Sequence, residues 1–268
     1  WLNLAGLYWL KQGSNKFGTD KTNDLVFPEG KAPAFIGTLF LWKSSVSPPK
    51  ADSDIPSGND TVVTLKVNDG VEVKSNGAKV TTLELKNDLQ GEATVLEYGS
   101  LRWFIIKRGE KYGVRLRDLE SPLLKSFKGI ETFPVNSDWK IEAKLEPYNP
   151  PKKILVPNVL GTVDTMFVSA ALIFEKDGVT YKLDPIDEGK RYFIIFADET
   201  SGSETYGAGR YLYADKSDSA GKIYLDFNKA YNPPCVFTKY ATCSLPPKQN
   251  YLKLKITAGE KMFEKNVL

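Results

Sequence analysis

The chain has 268 residues, 41% of them hydrophobic, and carries 36 Lys and Arg against 33 Asp and Glu, a net charge of +3. That length can build one large or two small cores, and the balanced charge leaves no electrostatic footprint for nucleic acid or an anionic membrane. With no histidine and two cysteines, a Ser-His-Asp or Cys-His pair, a His-ligated zinc or iron site and a four-cysteine cage are excluded. An oxygen-ligand calcium or magnesium site stays open, although no EF-hand loop is visible; no metal and no cofactor is expected. Acid-base work would fall to Asp, Glu, Lys, Tyr or Cys. No apolar run approaches the roughly 18 residues that a membrane helix needs, so no membrane span is expected.

The pattern along the chain is all β. Residues 44–60, polar and rich in Ser and Pro, read as a long loop. Short segments alternating apolar with polar residues follow at 61–67, 71–80 and 102–108. "PLLKSFKG" (122–129) is the best candidate for a turn or two of helix, ending at Gly129. Further strands are expected at 139–148, 168–183, 191–200, 209–215, 222–228 and 250–256, and "EPYNPPKK" (146–153) reads as a chain break. "NDG" (68–70), "SNG" (75–77) and "KDG" (176–178) read as hairpin turns, because glycine accepts their positive φ. A boundary near "RDLESP" (117–122) divides the chain into domains 1–120 and 121–268. In "VRLRDLES", Arg115 and Arg117 with Asp118 and Glu120 are expected to form ion pairs between the two halves.

Two segments concentrate the chemistry. "ADETSGSETYGAGRYL" holds Asp198, Thr200, Tyr206 and Arg210 around a Gly-rich tip. Alternation puts Arg210 on the face of Leu212 and Ala214, and an arginine on a core-directed face needs a carboxylate, here Asp198 or Asp226. The second segment, 225–252, collects Asp226, Asn228, Tyr231, Asn232, Cys235, Cys243 and Asn250 among four prolines that cannot sit inside a central strand. Its asparagine amides either satisfy loop backbone groups or line a pocket for a polar ligand. Cys235 and Cys243 read as a disulfide, as two buried thiols or as a reactive cysteine. If Asp226 and Asn228 point inward, they and Arg210 line the mouth of a small barrel, where ligand sites tend to sit.

"WLNLAGLYWLKQGSNKFGTDKTNDLVFP", "YGVRLRDLESP", "FADETSGSETYGAGRYLYAD" and "LDFNKAYNPPCVFTKYATCSLPPKQN" resemble the bacterial and archaeal family called domain of unknown function 1684, over nearly the whole chain. That family has no established activity. Separately, "NKFGTDKTNDLVFP", "VEVKSNGAKV" and "LEYGSLRWFII" make the first 110 residues or so resemble a forkhead-associated β-sandwich. The resemblance implies a sandwich at the N-terminus, followed by a second barrel or sandwich. Forkhead-associated domains hold phosphothreonine through an arginine after the first glycine and a serine near a histidine. Here Thr19 follows Gly18 and histidine is lacking, so the sandwich is expected as scaffold and a phosphopeptide is not expected as partner.

Three functions follow from these residues. The first is a binding module that holds a small polar or anionic ligand in the C-terminal domain. The alternatives are a hydrolase using paired carboxylates among Asp198, Glu199 and Asp226, and a protein-interaction scaffold. The opening at Trp1 without a methionine, with the two cysteines, leads to the expectation of an exported protein, periplasmic or lipid-anchored.

Overall fold

A computed structural model describes residues 1–42, 61–218 and 221–263. The 44–60 segment expected as a loop lies outside the described residues. The chain divides into two compact units, Trp1–Phe127 and Lys128–Leu268, and both are built from β-strands. No helix among the described residues is long and apolar enough to cross a membrane.

The N-terminal unit is two sheets over one core. Five strands (Leu25–Val26, Gly13–Gly18, Gly37–Trp42, Val62–Val67, Thr82–Leu85) form one sheet. Six strands (Leu4–Trp9, Lys111–Asp118, Leu101–Arg108, Leu96–Tyr98, Val73–Ser75, Ala78–Val80) form the other. Phe17, Leu39 and Leu65 from the first meet Trp103, Ile105, Val114 and Leu116 from the second. The hairpin Val73–Ser75/Ala78–Val80 closes through Asn76 and Gly77, both at positive φ (50° and 78°). This is the two-residue turn whose twist matches that of its strands. "NDG" at 68–70 also turns the chain, yet the strands on either side of it belong to different sheets.

The expected inter-half ion pairs take another form. Asp118 and Glu120 both meet Lys31 of the same unit, at 3.2 and 3.0 Å. The guanidinium of Arg117 lies over the Phe104 ring.

In the C-terminal unit, a four-stranded sheet (Val179–Leu183, Val163–Lys176, Lys140–Pro157, Ile223–Asp226) and a three-stranded sheet (Ile186–Asp187, Arg191–Phe196, Arg210–Asp215) share a core of Leu172, Phe174, Ile194, Phe196, Leu212, Leu225 and Phe227. Asp177 and Gly178, at φ 53° and 77°, close the turn between Val163–Lys176 and Val179–Leu183. A second apolar cluster, with Ile154, Val156, Val168, Ile195 and Tyr211, lies on the other face of the Arg191–Phe196/Arg210–Asp215 pair.

Two elements differ from the sequence reading. "EPYNPPKK" does not break the chain: the strand runs from Lys140 to Pro157, and its register slips between Pro147 and Lys152. A bulge takes prolines 150 and 151 out of the ladder, so their missing N–H groups cost no hydrogen bond there. The 250–256 segment alternates as expected, with Leu252, Leu254 and Ile256 buried, but forms no strand. Burial of every second side chain holds it extended; the Asn250 and Leu254 carbonyls accept from the Ala197 and Glu199 N–H groups, and the Ile256 carbonyl is claimed by a side chain.

Asp118 yields a prediction. Burial opposes its charge, but hydrogen bonds from Ser100 and the Glu120 N–H, together with Lys31, outweigh burial and hold its pKa below the usual 3.8. A carboxylate depressed in this way stabilises the fold above its unfolded pKa and loses that contribution as pH falls through its folded value. Asp118→Asn is expected to cost about 1–2 kcal/mol at pH 7. The deficit should shrink to near zero in urea titrations run well below pH 3.8.

Candidate functional site

The strand ladder places Phe196 opposite Arg210, so Asp198 emerges just past the end of the same hairpin. Alternation turns Arg210 inward with Leu212 and Ala214, and its side chain is 0% exposed, against 1% for Asp198. Nη2 donates to Asp198 Oδ2 at 2.8 Å and to the Ile256 carbonyl at 3.1 Å. Nη1 donates to the carbonyls of Ala258 and Glu260. The guanidinium therefore serves three alternate carbonyls of the extended C-terminal segment, much as the edge of a neighbouring strand would. Burial pushes the Arg210 pKa down and the Asp198 charge opposes the shift; the group stays ionised because arginine starts so high.

Asp198 is held from its other side. Its Oδ1 accepts from the Thr200 N–H at 2.8 Å and hydroxyl at 2.6 Å, and from the Ile256 N–H at 3.4 Å. The buried Thr200 and Thr205 hydroxyls meet at 2.8 Å. Two glycines make the approach feasible. A Cβ at Gly209 (φ 84°) would sit 2.4 Å from the Phe196 carbonyl oxygen, and one at Gly259 (φ 77°) would sit 2.5 Å from that of Ala230.

Asn232 extends this network. Its N–H donates to Glu260 Oε2 at 2.6 Å and its amide to the Lys261 carbonyl at 2.8 Å. Burial pushes the Glu260 carboxyl up, against the pull of the Asn232 hydrogen bonds and the Arg210 charge.

The other expected residues lie apart. Leu225 and Phe227 occupy the core, so Asp226 and Asn228 turn away from it rather than lining an interior beside Arg210. Asn228 exchanges two hydrogen bonds with the Asn136 backbone and donates to Asp226 at 3.0 Å. Lys229 stands 3.6 Å from Asp226. Tyr231 pairs with the Tyr211 backbone in both directions, and its ring meets those of Tyr211 and Tyr213. Burial raises the Tyr231 pKa, and that of the half-buried Tyr206. Cys235 and Cys243 form a disulfide with Cα atoms 6.2 Å apart.

Asn250 is buried and fully engaged. It accepts from the Asp184 N–H at 2.8 Å and donates to the carbonyls of Asp184 and Ile195 at 3.0 and 2.9 Å.

Asp184 leads to residues that the sequence did not single out. Its carboxylate, 1% exposed, accepts from Lys152 Nζ at 2.6 Å and from the Tyr148 hydroxyl at 2.8 Å. The ammonium groups of Lys152 and Lys182 stand 5.2 and 4.9 Å from the centre of the Tyr148 ring. Asp184 and Asn250 are the polar lining of a shallow depression with no enclosed room for a water molecule, whose apolar wall includes Ile154, Val156, Ile195 and Pro247. Tyr148 and Lys152 lay in the stretch read as a chain break, and Asp184 follows a strand with no motif around it, so no sequence signal marked the three. Among the described residues no cluster of three or more Cys, Asp and Glu has the spacing to hold a metal.

The family model described as "Protein of unknown function (DUF1684)" matches residues 125–261, half of the chain. The chain belongs to this family. The match takes in all the candidate residues from Asp198 to Asn250 and reaches only residues 125–127 of the N-terminal unit, whereas the sequence resemblance was read over nearly the whole chain. An uncharacterised protein of Haloarcula marismortui, solved by solution NMR, is 31% identical over 52% of this chain and 78% of its own, with a TM-score of 0.42. No curated protein matches.

Arg210 is predicted to be a stability residue. Arg210→Ala should cost about 3–5 kcal/mol in urea unfolding, because it strands a buried carboxylate. The double change Arg210→Met/Asp198→Leu should remain about 2 kcal/mol or more below wild type, since the carbonyls of Ile256 and Ala258 still lose their donor. Replacing both cysteines with serine should cost about 2.5 kcal/mol, the loop-closure entropy of so short a ring.

Proposed function

We propose that this DUF1684 protein is a binding module, and that its C-terminal unit takes a small polar or anionic group at the depression beside Asp184. The observation that carries the reading is the pair of partly exposed ammonium groups, Lys152 and Lys182, that flank the Tyr148 ring beside an apolar wall. Small-molecule sites are typically built this way. The depression is shallow and encloses no room for a water molecule, so a ligand would meet it only from the surface, through one compact group. Lys152 and Lys182 at its margin favour an anion.

The Arg210 centre is a poor candidate for the same role. Its carboxylate and both terminal nitrogens are spent on bonds within the protein. The hydrolase alternative also loses support, because Asp198 is sealed against Arg210 while Glu199 is exposed and Asp226 turns outward.

The N-terminal unit fits a forkhead-associated-like scaffold. Its five- and six-stranded sheets over one core and its Asn76-Gly77 turn support that reading. An extracytoplasmic location is supported by the Cys235–Cys243 disulfide, which persists in oxidising compartments.

Thermal-shift measurements with inorganic phosphate, small carboxylates and monosaccharides test the binding site. A ligand present at a hundred times its Kd should stabilise the protein by about 2.7 kcal/mol, and Lys152→Ala should remove that gain. If none of these compounds shifts the wild-type melting temperature, the depression is not a binding site.

A further inference from the structure

Two buried atoms around the Arg210 centre make no hydrogen bond to any described residue. A guanidinium has five N–H groups. The four on Nη1 and Nη2 go to Asp198 and to the carbonyls of Ile256, Ala258 and Glu260. The fifth, on Nε, is buried and has no acceptor. Asn232, 3% exposed, has the complementary deficit. Its N–H goes to Glu260 Oε2 and its amide nitrogen to the Lys261 carbonyl. Its side-chain oxygen is buried and has no donor. Such atoms are rare in folded proteins, because a buried polar group left unpaired keeps its full desolvation cost.

The two atoms belong to neighbouring side chains. Tyr211 and Tyr231 exchange both backbone hydrogen bonds at 2.9 Å in an antiparallel bridge. The next pair along, Arg210 and Asn232, therefore stands opposite, and its side chains project to the other side from the two tyrosines. The tyrosines turn to the second apolar cluster. Arg210 and Asn232 both turn to the C-terminal segment and meet the same residue there. Arg210 Nη1 reaches the Glu260 carbonyl at 3.3 Å, and the Asn232 N–H reaches the Glu260 carboxylate at 2.6 Å. One orphan is a donor and the other an acceptor, yet they do not bond to each other. A partner for both must accept from Nε and donate to the amide oxygen. A cation is repelled by the guanidinium, and an anion by the amide oxygen and the Glu260 carboxylate. A water molecule does both, and buried waters typically make about three such bonds.

We infer that Arg210 Nε and Asn232 Oδ1 form a binding site for one internal water, which accepts from the guanidinium and donates to the amide. Its second proton is directed to the half-buried Glu260 carboxylate, the group that both residues adjoin. The water ties the strand of Arg210 to the proline-rich segment through side chains that make no direct bond. The site is separate from the depression beside Asp184 and does not depend on a ligand binding there.

A high-resolution crystal structure of the full chain tests it, together with water NOE spectra read at the Arg210 Nε–H. The wild type should show one water peak within hydrogen-bond distance of both atoms, and a cross-peak from the Nε–H to a long-lived water. Asn232→Leu, close in volume but without the acceptor, should lose both signals. Asn232→Asp keeps an acceptor oxygen and gives up the amide donor to Lys261, so it should retain them. The wild-type measurements stand even if the leucine variant does not fold. A wild type without the peak overturns the inference, as does an Nε–H bonded directly to Asn232 or aimed at the Phe196 ring. A peak whose coordination is that of an ion also overturns it. So does a water that persists unchanged in Asn232→Leu, because Asn232 is then no part of the site.

Discussion

The C-terminal unit depends on one buried cation. Arg210 is anchored by a strand ladder, neutralised by Asp198 and spread over the carbonyls of residues 256, 258 and 260. Those carbonyls belong to a segment that buries its apolar side chains without joining a sheet. Remove the guanidinium and the carbonyls of residues 256 and 258 lose their donor, while the Glu199 N–H on the Leu254 carbonyl remains. A buried ion pair is costly to desolvate, and here the cost is offset by the backbone groups that the same side chain satisfies. Through Ile256 the network returns to Asp198, and through Glu260 it reaches Asn232. One side chain thereby ties the Gly-rich hairpin loop, the proline-rich segment and the chain's last described residues into a single body.

This arrangement decides where function can reside. A guanidinium and a carboxylate whose bonds are all internal offer a ligand nothing, however suggestive their residue types. Chemistry available to another molecule must come from groups with an open side. Among the described residues, the margin of the second apolar cluster, where Asp184 meets Lys152 and Tyr148, keeps partly exposed groups of this kind on Lys152 and Lys182.

Much of this was legible in the residues, and the failures are informative. The inward turn of Arg210 and its need for a carboxylate follow from alternation and from the cost of an unpaired buried charge. So does the choice of Asn76-Gly77 and Asp177-Gly178 for turns. The same alternation, applied to Leu225 and Phe227, sends Asp226 and Asn228 away from the core; the sequence could not say which face was inside, so both outcomes stood. The far end of the Lys140–Pro157 strand was missed because prolines 147, 150 and 151 read as a break. A bulge, which depends on the partner strand, absorbs them.

The sequence by itself determined the all-β architecture, the absence of histidine chemistry and the pairing requirement of Arg210, because each follows from local periodicity or from residue inventory. Only the tertiary structure decided that Asp198 rather than Asp226 meets that requirement and that the 250–256 segment is extended without a ladder. It alone brings Asp184 to Lys152 and Tyr148. These are contacts between residues 12 to 48 positions apart in the chain. Their partners are selected by how sheets pack and where a bulge shifts register, and no local pattern encodes that.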